Sequence, residues 1–406
     1  MSNVPYLTTS VETFKKYWTL MMAAMVQSKA IRNYEEYVLL EGRREHDVDI
    51  FTMRVAHEMG GLRVVLRGDD KPAVVTLGAT FSLAIKIDVI AKILPFLRGD
   101  LRIEPVPNKK ALVAFVSGTV RNELQFSEGV AEDFPGEQLF DQEEMIAFRC
   151  EDFDRRLRLA LGSASRDAKA VNSWSAAVFV SLEGKELSLT SAGPTRGVSQ
   201  VRWEPLIRES VPTFAAVIPL ASVHILARAA AGYKGDILVR GDPGNGQLVW
   251  EFGHMAYQCR SMGEKYFAIA AMFEGTNRAE ASIPSADFAN ILGLICAQAK
   301  DGDTSKATLA FQEDGTVQVT SPSTVTAIEA TLNGMCGGVL PHMLTLNADQ
   351  VREIMADLKH KEGIIHLQAQ TMGAKDYPLL KITAPSDPDF LHIAILIETV
   401  VERTKS

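Results

Sequence analysis

The feature that most constrains this chain is a helix-like stretch that recurs at a long, nearly constant interval. Glu151 to Asp167 carries Phe153, Leu157, Ala160, Leu161 and Ala164 at helical spacing, so that they share one face and leave Arg155, Arg158 and Gly162 on the other. Thr13 to Met25 has the same layout through Phe14, Trp18, Met21 and Met25, and Asp287 to Ala297 has it through Phe288, Leu292 and Ile295. Nine positions beyond each leading phenylalanine, on the outward face, stands a small residue: Ala23, Gly162 or Ala297. Such a position suits a helix that something large passes closely. The leading residues Phe14, Phe153 and Phe288 lie 139 and 135 positions apart.

A second marker keeps the same period. Apolar helical stretches follow at Ile87 to Leu101, Leu220 to Ala227 (running on to Ile237) and Leu346 to Leu358, each stopped by a basic residue, a glycine and a short strand. Their anchors Val89, Val223 and Val351 are 134 and 128 positions apart. A period of this length indicates duplicated domains rather than a solenoid. At 406 residues the chain is too long for one ordinary core and suits three domains. The expected boundaries are 1–143, 144–277 and 278–406, the first marked by the acidic, Gly- and Pro-bearing run Glu128 to Glu137. Between the helices lie runs with strand character, such as Phe51–Ala56, Ala111–Ser117, Val120–Phe126, Gln247–Phe252, Val325–Leu332 and His392–Ile397. Each copy is therefore expected to be α+β, two helices on mostly antiparallel strands.

Composition narrows the function. A net charge of −8 argues against nucleic-acid binding over the whole surface but leaves room for a basic face. Lys16, Arg155, Arg158 and the loop bases Lys29, Arg32, Arg166 and Lys169 are the candidates for it, set to neutralise phosphates without reading bases. Cys150, Cys259, Cys296 and Cys336 stand singly, as expected of reduced cytosolic thiols. Lys15-Lys16 and the apolar run to Val26 superficially copy a signal peptide, but the run is the first of the repeated helices and too short to span a bilayer. The histidines are scattered, His360 and His366 lack zinc spacing, and Asp301 and Asp303 lack the rest of a calcium loop. There is no phosphate-binding loop, dinucleotide fingerprint or nucleophile elbow. Neither a metal, a cofactor nor catalysis is expected.

Three like domains in line suggest an arc, and arcs with complementary ends close into rings, most simply as a twofold dimer. Through Ala131-Glu132-Asp133-Phe134-Pro135, Glu183-Gly184-Lys185-Glu186-Leu187 and Leu346 to Leu358, in that order and spacing, the chain resembles the bacterial DNA sliding clamps, the β subunits of replicative polymerases. The resemblance spans nearly the whole chain and is weakest in the first copy. It implies half of a closed ring around duplex DNA, opened by a clamp-loader ATPase and tethering a polymerase through short peptides. It also implies a peptide pocket at Ala192, Pro194, Thr195, Arg196, Gly197, Phe267, Ala271, Met272, Ile395 and Ile397. A homodimer interface is implied at the edges Val120–Phe126 and Val325–Leu332, with Ile295 nearby. Arg196 fits the family pattern. Two features depart from it: Tyr266-Phe267-Ala268-Ile269 replaces an aromatic-Pro-Asp-aromatic run, and Glu398 to Ser406 extends past the usual end. A clamp-derived interaction protein or decoy that does not encircle DNA is the alternative.

Overall fold

The computed structural model describes residues 5–25, 32–57, 60–69, 75–140, 142–165, 173–193, 196–210, 213–242, 246–262, 266, 275–299, 305–321, 327–358, 363–372, 377–396 and 398–400. The first segment runs β1 (Leu7–Ser10), α1 (Val11–Met25), β2 (Tyr37–Glu45), β3 (Val48–His57), β4 (Gly60–Arg67), β5 (Thr76–Leu77), β6 (Phe81–Lys86), α2 (Ile87–Ile93), β7 (Asp100–Pro105), β8 (Leu112–Ser117) and β9 (Val120–Gln125). A short helix, α3 (Glu128–Glu132), leads to β10 (Glu144–Arg149), α4 (Phe153–Ala160), β11 (Ala177–Glu183), β12 (Glu186–Gly193), β13 (Gly197–Trp203), β14 (Leu206–Ser210) and β15 (Thr213–Pro219). Then come α5 (Leu220–Ala230), β16 (Asp236–Asp242), β17 (Gln247–Phe252), β18 (Met255–Arg260), β19 (Thr276–Pro284), α6 (Ser285–Gln298), β20 (Lys306–Phe311), β21 (Thr316–Ser321), β22 (Ile328–Asn333) and β23 (Met335–Gly338). The chain ends through β24 (His342–Asn347), α7 (Ala348–Ala356), β25 (Ile364–Met372), β26 (Tyr377–Ala384), β27 (Asp387–Ile395) and β28 (Glu398–Val400).

One pairing scheme recurs in three successive segments. The opening strand pairs antiparallel with the strand after the second helix, as β1 with β7, β10 with β16 and β19 with β25, and two further strands extend that sheet. A short strand covers the other edge of the opening strand each time: β5, β14 and β23. The second set is β6-β2-β3-β4, repeated as β15-β11-β12-β13 and β24-β20-β21-β22. Two junctions join the sets: β18 pairs with β4, and β27 pairs with β13.

The chain divides into two compact units, residues 1–154, 206–211 and 224–261 in one and residues 155–205, 212–223 and 262–406 in the other. The first unit holds a five-stranded sheet, β5-β1-β7-β8-β9, and a nine-stranded sheet from β14 to β6. In it Phe14, Trp18 and Met21 of α1 are fully buried and Met25 nearly so, each contributing about 1.5–3 kcal/mol of transfer free energy. Ser10 caps α1, its hydroxyl accepting from the Thr13 amide at 3.0 Å. Phe153 packs against Phe148, Trp250 and Phe252 with ring centroids 5.4, 5.9 and 6.5 Å away. The acidic run after β9 is less exposed than its composition suggests. Ser127 caps α3, Phe134 is buried beside Tyr34, and the Pro135 carbonyl accepts from Arg54, which also pairs with Glu41 at 2.7 Å.

The second unit likewise holds a nine-stranded sheet, from β15 to β23, and a five-stranded one, β22-β21-β20-β24-β28. Phe288, Leu292 and Ile295 of α6 are buried as their spacing predicts. Asn347 caps α7, accepting from the Asp349 and Gln350 amides. The extension past Ile397 adds β28 to β24. Between β23 and β24 the chain turns at the cis Leu340–Pro341 bond. Gly193 ends β12 and Gly197 opens β13, and the two strands pair from Leu187↔Trp203 to Gly193↔Gly197.

Candidate partner-binding and nucleic-acid-facing sites

The outward face expected of α4 is largely spent on ion pairs inside the second unit. Arg155, expected to face solvent, is mostly buried and pairs with the buried Asp387. Arg156 pairs with Asp389 at 2.8 Å while its guanidinium lies over the Trp203 ring at 4.6 Å, a cation–π arrangement. Arg158 stays substantially exposed and pairs with Asp357 at 3.2 Å. Three acids, 199 to 233 positions away in sequence, thus hold the three arginines, which explains why the helix face read as basic from local sequence alone. Lys16 is exposed beside the Tyr17 ring, and Arg32 is exposed, donating to the Tyr34 hydroxyl at 2.8 Å. Lys29, Arg166 and Lys169 lie outside the described residues.

The small-residue rule also resolves differently from expectation. Beyond Ala160 the chain tightens into a 3₁₀ turn, Leu161–Ser163, and a Cβ on Gly162 would stand 2.8 Å from Ile354 Cγ1 and 2.9 Å from Ser199 Oγ. What passes Gly162 closely is α7 of the same unit. Ala23, expected outside, is buried, whereas Ala297 is exposed.

That contact shapes the turn carrying Arg196. The Arg196 amide donates to the Gly193 carbonyl at 3.2 Å, and its carbonyl accepts from Ser163 Oγ at 3.3 Å. The side chain, only 14% exposed, donates through Nη2 to Glu353 Oε2 at 3.2 Å and through Nη1 to the Gly162 carbonyl at 3.4 Å. Gly197 has φ +81°, and a Cβ there would meet the Ile393 carbonyl at 1.8 Å, so the β13–β27 junction demands glycine at this point. Behind the turn, Ala192, Val198, Leu379 and Ile393 form a buried apolar cluster, with Tyr266 and Leu391 packed against it. Tyr266 stacks on Phe179 at 5.1 Å, and burial raises its phenol above the usual range. Ile395 is half-buried at the end of β27. Pro194, Thr195, Phe267, Ala271, Met272 and Ile397 lie outside the described residues.

A buried polar cluster under the turn was not foreseen. His392 Nδ1 lies 2.9 Å from Ser199 Oγ and 3.4 Å from Ser163 Oγ, and its Nε2 has no partner among the described residues. Burial, reinforced by the Arg196 charge, holds this imidazole down at about 3, so it is neutral at pH 7. The members come from a turn and two strands far apart in sequence. Their one local trace was a histidine at an inward position of a strand.

At the sheet edges, β9 and β22 show the same alternation. Val120, Asn122 and Leu124 on one, and Ile328, Ala330 and Leu332 on the other, are the more buried of each strand. Leu332 and Ile295 have buried side chains, Ile295 as part of the α6 core. Phe126, half-buried, donates its amide to the Ala111 carbonyl at 3.1 Å, and Val325 lies outside the described residues. Among the described residues no disulfide joins the cysteines, and Cys296 is half-buried. Burial pushes the Cys259 thiol up to about 12. No group of three or more His, Cys, Asp or Glu among the described residues is placed to hold a metal, and no described helix is long and apolar enough to cross a membrane.

No family model and no curated protein matches the sequence. Solved structures do match. A DNA polymerase sliding clamp from Bacillus subtilis has a TM-score of 0.81 at 14% identity, covering 98% of this chain and 100% of that one. The chain has the sliding-clamp fold. A DNA polymerase III β subunit from Thermotoga maritima gives 0.79 at 13% identity over 97% of this chain and 99% of that one. A putative DNA polymerase III β subunit from Eubacterium rectale gives 0.78 at 14% identity with the same coverages. At identities this low the likeness carries the fold alone, not the chemistry of the Arg196 turn or of the β9 and β22 edges.

Proposed function

We propose that the chain is half of a homodimeric ring of three clamp domains, residues 1–143, 144–277 and 278–406, which encircles duplex DNA and tethers a polymerase and other replication or repair proteins. The pairing rule carries this reading. At both junctions the last strand of one segment adds to the last strand of the preceding segment's second set, β18 to β4 and β27 to β13. Applied once more, the rule leaves β9 of the first segment and β22 of the third, each at a sheet edge with no further strand among the described residues and each suited to pair with the other. A second copy satisfies both edges at once and closes the assembly with twofold symmetry.

Holding DNA is then topological, so weak contacts from Lys16, Arg32 and Arg158 suffice, and sequence is not read. The chain is not an enzyme in this reading; a loader ATPase opens the ring, and partners dock short peptides at the Arg196 turn. The setting is cytoplasmic. The test is retention on nicked circular DNA after loading, followed by linearisation. Release on linearisation is expected, and equal retention on both forms rejects the ring. One observation favours a clamp-derived decoy instead: Arg155, Arg156 and Arg158 are each neutralised by a carboxylate. Light scattering separates the two, since a persistent 44.4 kDa monomer at micromolar concentration supports the decoy.

A further inference from the structure

We propose that Asp387 and Asp389 form an address that admits β27 to the edge of β13 and shuts out the other strands of the chain, or of a second copy, that fit the same edge. The recurring pairing scheme creates this problem. It makes three like last strands, β9, β18 and β27, and three like acceptors, β4, β13 and β22. The two internal junctions are built alike in the backbone: a Cβ on Gly60 would meet the Gln258 carbonyl as one on Gly197 would meet the Ile393 carbonyl. An open strand edge pairs with whatever extended backbone reaches it, so side chains have to make the choice.

The side chains differ between the junctions. At β13 the second segment brings arginines and the third brings acids: Arg155 pairs with Asp387, Arg156 with Asp389 at 2.8 Å and Arg158 with Asp357 at 3.2 Å. Counted from the leading phenylalanine of each helix, α1 has Lys16, Tyr17 and Thr19 where α4 has these arginines. Strand register puts Phe252 and His254 of the β17–β18 hairpin where β27 has Asp387 and Asp389, and Ser117 and Thr119 of the β8–β9 hairpin likewise. A wrong strand on β13 therefore covers Arg155 and Arg156, whose side chains are 14% and 12% exposed, without bringing the two carboxylates that β27 supplies. Buried ion pairs add little stability over well-packed apolar residues, whereas removing one partner is costly, so they discriminate between partners more than they stabilise one.

The experiment is refolding of the full chain by dilution from urea, with size read by chromatography and light scattering and stability by melting. Arg155→Met combined with Asp387→Leu removes one charged pair and keeps an apolar contact. Its melting temperature should be unchanged or higher, yet the fraction recovered in species larger than the native one should rise at least about threefold. Asp389→Arg alone should raise that fraction too, and adding Arg156→Asp should return it to within about twofold of the unsubstituted chain. If the Arg155→Met, Asp387→Leu chain refolds to native size as cleanly as the unsubstituted one, the pairs do not direct assembly and the address is overturned. Oversized species that track a lowered melting temperature, and that the reversed Arg156–Asp389 pair leaves unrepaired, overturn it as well. Size is scored against the native species whether that is a monomer or a dimer, so a native monomer defeats the ring and leaves the address standing.

Discussion

His392 shows how a single buried side chain ties stability to pH. Its imidazole titrates near 6.5 in the unfolded chain and near 3 in the fold, so between those values the unfolded state binds more protons. Stability from this residue is therefore fully present above about pH 6.5 and is lost as the pH falls toward 3, by about 1 kcal/mol per pH unit. Urea unfolding at pH 7 and pH 5 should show the loss, and His392→Gln should flatten the pH dependence. An equally steep dependence in the variant would place the proton elsewhere, for instance at His57, which burial also lowers. Gly197→Ala gives a second test: with φ +81° and the Ile393 carbonyl in the way, it should cost about 2–4 kcal/mol by urea titration. Arg196 entered as a candidate through the resemblance to the sliding clamps, not through local pattern. Asp387, Asp389 and Glu353 were not legible, because what makes them matter is an arginine more than 150 positions away.

At the level of elements, legibility followed local pattern. The helices around Phe14, Phe153 and Phe288 and most strands were readable, since burial of one face imposes a period. β13 is hard to read from sequence because Gly193-Pro194-Thr195-Arg196-Gly197 signals a loop and because Ser199, Gln200 and Arg202 interrupt the apolar run; Ser199 is buried in contact with Ser163 and His392. The edges β9 and β22 were placed, but their chemistry needs the alternation seen in the fold. Arg121 and Glu123 project from β9 and Glu329 from β22 on the exposed side. If these edges pair between copies, Arg121→Glu adds acid opposite acid, costing about 0.2–1 kcal/mol at each of two interfaces. Sedimentation should show dimer affinity reduced by roughly two- to thirtyfold with melting little changed. Restoration by Glu329→Arg would support the pairing, and an unchanged dimer would rule it out.

For the whole molecule the decisive quantity is how retention on DNA responds to salt. A protein held by phosphate contacts loses affinity steeply with salt, with a logarithmic slope of about −0.9 for each phosphate neutralised. Here the net charge is −8, and Arg155 and Arg156 of α4 are largely buried in pairs with carboxylates, so α4 offers little beyond Arg158 to phosphates. Direct binding to linear duplex should therefore be weak and vanish between about 50 and 200 mM salt. A closed ring depends on none of this once it is threaded: its residence on a nicked circle is set by the lifetime of the β9–β22 junctions. Raising salt over the same range should leave loaded complexes on nicked circles largely intact, and cutting the circle should release them. Arg158→Gln, which removes an exposed cation, should reduce loading while barely changing residence on the circle. Parallel loss from circles and linear fragments as salt rises would mean that ordinary electrostatics holds the protein to DNA, and the ring would have to be abandoned.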